Sequence, residues 1–251
     1  IEPGSLETWT ERLNDVLDAC VRRTVEKAAG RPIYVALSGG LDSRFILAKI
    51  HEIGYRDLFT FSYGAPGNYE AKAAEIIAKR LDVPWHFEPI TNRSACDFFA
   101  SEKRHAFWRY SDGVSVVPNT QDLIPLCAML DHKHLPQDAV IINGQAGDFI
   151  TGGHIAPSLL ALPPDARSDA SITVQSAIQK HYALWLNLLD DRNKSIIGAR
   201  IMEEMGVSDS DSVFERDDLI DRYERWEYEG RQSQYVINGQ RVYDFLELEW
   251  E

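Results

Sequence analysis

Cysteine is scarce and poorly placed for chemistry. Cys20, Cys96 and Cys127 are the only three in 251 residues, and none forms a C-x-x-C pair. That spacing argues against a disulfide framework, a structural zinc site or an iron–sulfur cluster, and each cysteine reads as a small hydrophobe. Long hydrophobic runs are missing too. Nothing approaches the roughly 20 apolar residues of a membrane span, so no membrane partner is expected. Basic residues are in deficit, 26 Lys and Arg against 39 Asp and Glu for a net charge of −13. A chain so acidic is a poor fit to a polyanion, and no nucleic-acid partner is expected. Much of the acidic excess lies in Glu215, Asp217, Asp218, Asp221, Glu224, Glu227 and Glu229. Interleaved with Arg216, Arg222 and Arg225, these residues read as a solvated helix face. The seven histidines form no metal-ligating constellation; His132 and His134 flank Lys133 in a polar stretch. Internal repeats and low-complexity tracts are also absent.

What is present is two glycine-rich loops, each directly after an apolar strand. The first is Ser38-Gly39-Gly40-Leu41-Asp42-Ser43. Ile33 to Leu37 before it reads as a buried strand, and Arg44 to Ile50 after it as an amphipathic helix stopped by Gly54. Two glycines between a strand and a helix N-terminus let backbone N–H groups approach an anion such as phosphate. Ser38 and Ser43 add hydroxyl donors. A carboxylate at Asp42 beside phosphates makes sense when a divalent cation lies between them. The dinucleotide fingerprint would need a third glycine, and the Walker loop a closing Gly-Lys-Ser/Thr; neither is there. An ordinary Gly-Gly turn is the competing reading.

The second loop follows the apolar strand Ala139 to Ile142 and runs from Asn143 through Gly144, Gln145, Gly147, Asp148, Phe149, Gly152 and Gly153 to His154. Glycine at this density marks close approach of backbone and ligand. Asp148 is a second carboxylate suited to share a cation with Asp42. Between the loops, Leu58 to Tyr63 and Val83 to Glu88 read as strands, and Asn68 caps a helix over Glu70 to Leu81. Alternating strands and helices with short connections predict a parallel α/β sheet, which binds ligands at the carboxyl ends of its strands. Both loops and Tyr63 fall there.

The S-G-G-x-D-S run resembles the loop of the N-type ATP pyrophosphatases. The second loop narrows the resemblance to the synthetase domain of asparagine synthetase, whose S-G-E-G-S-D-E stretch and F-G-G-Y-like end it matches at Gly144, Gly147, Asp148, Gly152 and Gly153. The resemblance covers roughly Leu6 to the C-terminus. It implies the PP-loop ATP pyrophosphatase fold with a C-terminal helical part. It also implies that ATP and Mg2+ are bound: phosphates by Ser38, Gly39, Gly40 and Ser43, adenosine by the backbone around Ala36, Leu37, Tyr63, Asn143 and Gly144, and metal by Asp42 and Asp148. For Tyr63, simple packing at the strand end is an equal alternative. The implied reaction adenylates a small-molecule carboxylate, releases pyrophosphate, and forms an amide with ammonia or an amine.

Departures accompany the matches. Gln145 stands where the family pattern has glutamate, and an amide cannot serve as a general base. Phe149 replaces a second glutamate, and His154 stands where tyrosine is frequent, which suggests a role near the substrate. The family's phosphate-binding lysine would fall after Glu251, leaving open whether the chain is a piece of a longer protein. Arg44, in the first turn of the receiving helix, is either a partial substitute or a solvated surface residue. The glutaminase half of the family uses an N-terminal cysteine, whereas Ile1 comes first here. Ammonia is therefore expected from a missing or separate glutaminase domain, a partner or solution. A catalytically silent ATP-binding homologue and a tRNA-modifying ATP pyrophosphatase remain the alternatives.

The expected organisation is a core over residues 1–156, with a helix from Leu6 to Val21 capped by Ser5, and a mainly helical portion over 157–251. Pro157, Pro163 and Pro164 suggest the connection. Ile178, Tyr182, Trp185, Leu186 and Leu189 then follow helical spacing. The expected location is the cytoplasm.

Overall fold

The computed structural model describes residues 4–111, 120–145, 147–182, 187–207 and 212–251, and within these it leaves out the Asp148 side chain. Trp185 and Leu186 lie outside the described residues. The described strands are β1 (Ile33–Ala36), β2 (Leu58–Gly64), β3 (Trp85–Pro89), β4 (Val140–Ile142), β5 (Arg167–Asp169), β6 (Val213–Glu215) and β7 (Glu249–Trp250). The chain divides into two compact units. One comprises Ile1–Gln145 with Ile237–Glu251, the other Ala146–Val236; the sequence reading instead places a single boundary at 156/157.

The first unit is built on a parallel sheet in the order β3-β2-β1-β4-β7. Strand residues alternate between two cores, as a period of two requires. Ile33, Val35, Val140 and Ile142 point to a cluster with Leu47, Ile50, Ala74 and Ala78. Tyr34 and Ile141 point to another, with Phe107, Leu126, Met129, Val242 and Tyr243. Burial on both faces explains why β1 and β4 are continuously apolar. The Leu41–Ile53 helix ends at Gly54 with φ 86°, where glycine adopts the left-handed conformation without a Cβ penalty. Asn68 caps the Tyr69–Arg80 helix by accepting from the Ala71 amide.

Ser5 caps the Leu6–Ala28 helix by accepting from Thr8. The apolar residues of its first turns, Leu6, Trp9, Leu13 and Val16, are exposed, whereas Val21, Val25 and Ala28 pack on the sheet. The end of the chain returns to this unit. β7 pairs with β4 and is tied down by ion pairs from Arg31 to Glu249 and from Lys27 to Glu251.

The second unit is mainly helical, with helices at Ser171–His181, Asp191–Glu204 and Arg216–Glu227. Within the proline-rich stretch read as a connection, β5 pairs antiparallel with β6. Leu159, Ala177, Ile201, Leu219 and Tyr223 lie in its core. Glu227 corrects the expectation of a solvated acidic face. It is 5 % exposed, because Leu219, Tyr223, Trp226 and Glu227 share the inward side of the Arg216–Glu227 helix at i, i+4, i+7 and i+8 spacing. No helix among the described residues is long and apolar enough to cross a membrane.

Candidate functional site

Parallel pairing sets both strand ends of the first unit side by side. Val35 pairs with Ile142 and Ala36 with Phe61, so the residues after β1, β2 and β4 emerge together. Leu37 is the wall of this place. Its amide donates to Phe61, its carbonyl accepts from the Ser62 hydroxyl at 2.6 Å, and its side chain is buried.

The first loop then holds itself. The Ser38 amide donates to Ser43 Oγ at 3.1 Å, the two serine hydroxyls lie 3.2 Å apart, and the Gly40 amide donates to Ser38 Oγ at 3.1 Å. Gly40 is the N-cap of the Leu41–Ile53 helix and supplies no side-chain cap. First-turn amides are thus left for an anionic partner, favoured further by the helix dipole. Arg44 Nε donates to the Gly40 carbonyl at 2.7 Å, bracing the turn. Asp42, in the first helical turn, is half-buried and has no ion pair or hydrogen bond among the described residues.

The second loop presses onto the first at Gly144. A Cβ built there would stand 2.9 Å from Asp42 Cβ and 2.9 Å from the Ser43 amide nitrogen. Only glycine fits, whereas a Cβ on Gly39 would meet Glu70 Cα at an ordinary 3.5 Å. Gly144→Ala is expected to destabilise the protein by about 1–3 kcal/mol through overpacking and to lower ATP affinity by pushing the loops apart. Thermal unfolding and an ATP titration check this, and unchanged affinity would remove the close approach from the binding site.

A polar chain links the two strand ends, and most of it has no local signature in the sequence. The Gln145 amide donates to Asn143 Oδ1 at 3.2 Å, and Asn143 Nδ2 donates to the Tyr243 hydroxyl at 3.4 Å. Tyr243 donates to Asp122 Oδ2 at 3.4 Å, and Tyr63 donates to Asp122 Oδ1. Burial pushes the Asp122 carboxyl up, opposed by these two phenol hydrogen bonds. Burial beside Asp122 raises the Tyr63 phenol in turn. Tyr63 therefore commits its hydroxyl to Asp122 and leaves its backbone at the strand end. Asp122 and Tyr243 could not have been paired from a separation of 121 residues. Gln145 Oε1 is buried without a hydrogen-bond partner among the described residues, so it is an acceptor awaiting a donor.

Asp148 lies on the helical turn Gly147–Ile150 of the second unit, with its side chain outside the described residues. The expectation that it shares a cation with Asp42 falls there too. Among the described residues no three His, Cys, Asp or Glu groups cluster as a metal site. The residues that are described nonetheless fit a phosphate-bound magnesium: an uncapped helix N-terminus, an unpaired half-buried carboxylate in its first turn, and a neighbouring backbone that tolerates no Cβ.

The family model for asparagine synthase matches residues 12–233. Among solved structures, an NH3-dependent NAD synthetase from Campylobacter jejuni subsp. jejuni NCTC 11168, in complex with the nitrate ion, is similar at 12% identity with a TM-score of 0.40. The match covers 82% of this chain and 99% of that one. No curated protein matches the chain.

Proposed function

Since the chain belongs to the asparagine synthase family, we propose that it is an amide-forming ligase that activates a small-molecule carboxylate with ATP. The observation that carries this reading is the junction of the two loops, where Gly144 packs against Asp42 and Ser43 below an uncapped helix N-terminus. In the first step a carboxylate oxygen attacks the α-phosphorus and the bond to pyrophosphate breaks. The first-turn amides and the hydroxyls of Ser38 and Ser43 face the charge that moves onto the leaving group. Asp42 would hold magnesium, with Asp148 as the second ligand that the family resemblance implies, and the metal would supply charge neutralisation for that pyrophosphate. In the second step an amine nitrogen attacks the acyl carbon, and AMP departs with the electron pair of the broken C–O bond.

Gln145 offers the amine a hydrogen-bond acceptor in Oε1 but no titratable base. Ammonia would reach the site from solution, from a partner, or from a separate or missing glutaminase domain. The same glutamine favours a second reading, an ATP-binding homologue that never makes AMP. The deciding experiment measures pyrophosphate and AMP released from Mg-ATP across a panel of carboxylates with ammonium present. Stimulation by one acid supports the ligase and identifies its substrate class. ATP binding without pyrophosphate from any acid favours the silent homologue.

A further inference from the structure

An aspartate directly before a helix ordinarily caps it, accepting from an amide of the first turn. Asp122 precedes the Leu123–Asp131 helix yet makes no such cap among the described residues. Its carboxylate turns inward instead, 8 % exposed, onto the hydroxyls of Tyr63 and Tyr243. A local bond is given up for two distant ones, 59 and 121 residues away in the sequence.

The carboxylate also fixes which way each bond of the chain runs. It has acceptors only, so both phenols donate to it. The Tyr243 hydroxyl, its proton committed, can offer Asn143 only a lone pair. Asn143 must therefore turn Nδ2 toward Tyr243, at 3.4 Å, which leaves Oδ1 to accept from the Gln145 amide at 3.2 Å. That last bond closes an Asx turn, in which a side chain accepts from the backbone two residues on. The turn spans Gly144, the residue that stands against Asp42 and Ser43 with no room for a Cβ. Tyr243 is itself buried and stacked on Trp250, with ring centroids 5.7 Å apart, so its hydroxyl is held in place. Every residue of this chain belongs to the first unit.

Resting on the reading of the two loops as a nucleotide site, we propose that Asp122 is a positioning residue for Mg-ATP. Through Tyr243 and Asn143 it holds the turn at Gly144 in the conformation that closes the junction with Asp42 and Ser43.

The test compares two phenol deletions in the full chain. Tyr243→Phe removes the relaying hydroxyl and keeps the stacked ring. Tyr55→Phe removes a bond of the same kind elsewhere in the first unit, from the Tyr55 hydroxyl to the Arg31 carbonyl at 2.6 Å. Y243F is expected to weaken Mg-ATP binding about 3-fold to 10-fold, as the loss of one hydrogen bond would, and Y55F to leave it unchanged. In an Asn143→Ala background Y243F should weaken binding no further, since its effect travels through Asn143. Wild-type affinity in Y243F, an equal fall in Y55F, or an undiminished effect beside N143A would overturn the proposal.

Two NMR readouts need no nucleotide. The Gln145 amide should exchange with solvent about 3-fold to 10-fold faster in Y243F than in wild type or Y55F, and equal rates would overturn the proposal. In wild type, and so independently of any folding defect in Y243F, the Asn143 side-chain NH2 should give its stronger NOE to the Tyr243 ring. A stronger one to the Gln145 amide would reverse the bond directions and overturn it. A wild type that binds no Mg-ATP overturns the nucleotide reading itself, a result that these two readouts keep distinct from failure of the relay.

Discussion

Asp42→Ala is expected to abolish carboxylate-dependent pyrophosphate release while the protein stays folded. The two halves of that expectation have separate causes. Alanine keeps the Cβ that Gly144 packs against at 2.9 Å, so the loop junction keeps its shape, and it is the best helix former. The folding loss is then limited to one favourable charge at a helix N-terminus, about 0.3–1 kcal/mol. What disappears is a half-buried carboxylate that no group of the described protein uses. If it holds magnesium, several kcal/mol of leaving-group stabilisation go with it, and at 1.36 kcal/mol per decade the rate falls by about 100-fold to 10,000-fold. Continuous pyrophosphate detection beside a thermal melt separates the two effects. A variant that melts as wild type and still releases pyrophosphate at the wild-type rate would remove the metal role.

Glu227→Ala acts in the opposite way, on stability and not through the nucleotide loops. The carboxylate accepts from His181 Nε2 at 2.5 Å and Tyr223 Oη at 3.0 Å, and pairs with Lys180 at 3.2 Å and Arg231 at 3.4 Å. Its removal strands those donors, His181 and Tyr223 inside the core of the second unit. Breaking a buried pair from one side costs about 3–5 kcal/mol, which urea unfolding should resolve easily. A loss below about 1 kcal/mol would mean that water takes over the donors.

The same group sets a pH dependence. Burial by itself would raise the Glu227 carboxyl, but hydrogen bonding and charge from His181, then Lys180 and Tyr223, outweigh it and bring the group to about 2 from an ordinary 4.5. Because the folded value is the lower one, this stabilisation is complete above the unfolded value and is lost as pH falls from about 4.5 to about 2. It amounts to about 3 kcal/mol, at up to 1.4 kcal/mol per pH unit. Glu227→Gln should flatten that part of the wild-type curve.

Local features of the fold were open to reading from the sequence, and distant ones were not. β1, its glycine loop and the following helix form one contiguous stretch whose apolar pattern, glycine pair and stop at Gly54 are all short-range signals. The close fit at Gly144 was legible as glycine density, though its partner was not, since Asp42 lies about a hundred residues away. For Glu227 the charge density of its stretch points to solvent and masks the periodicity. Its spacing from Leu219 and Tyr223 carried the inward direction. The Tyr63–Asp122–Tyr243 chain was out of reach, because a buried acid held by two phenols leaves no local pattern. β7 was out of reach for a different reason: two residues are too few for any period, and only pairing with β4 makes them a strand.

That last strand has a consequence for how the protein is made. The first unit's sheet takes its fifth strand from residues 249–250, while the whole of the second unit is encoded between its two pieces. On the ribosome, β1 to β4 emerge long before the strand that covers the β4 edge, and that edge stays unpaired while the intervening residues are synthesised. The growing chain must keep an open sheet edge from sticking to its neighbours throughout that interval. Completion of the first unit thus waits until residues 249–250 have been made.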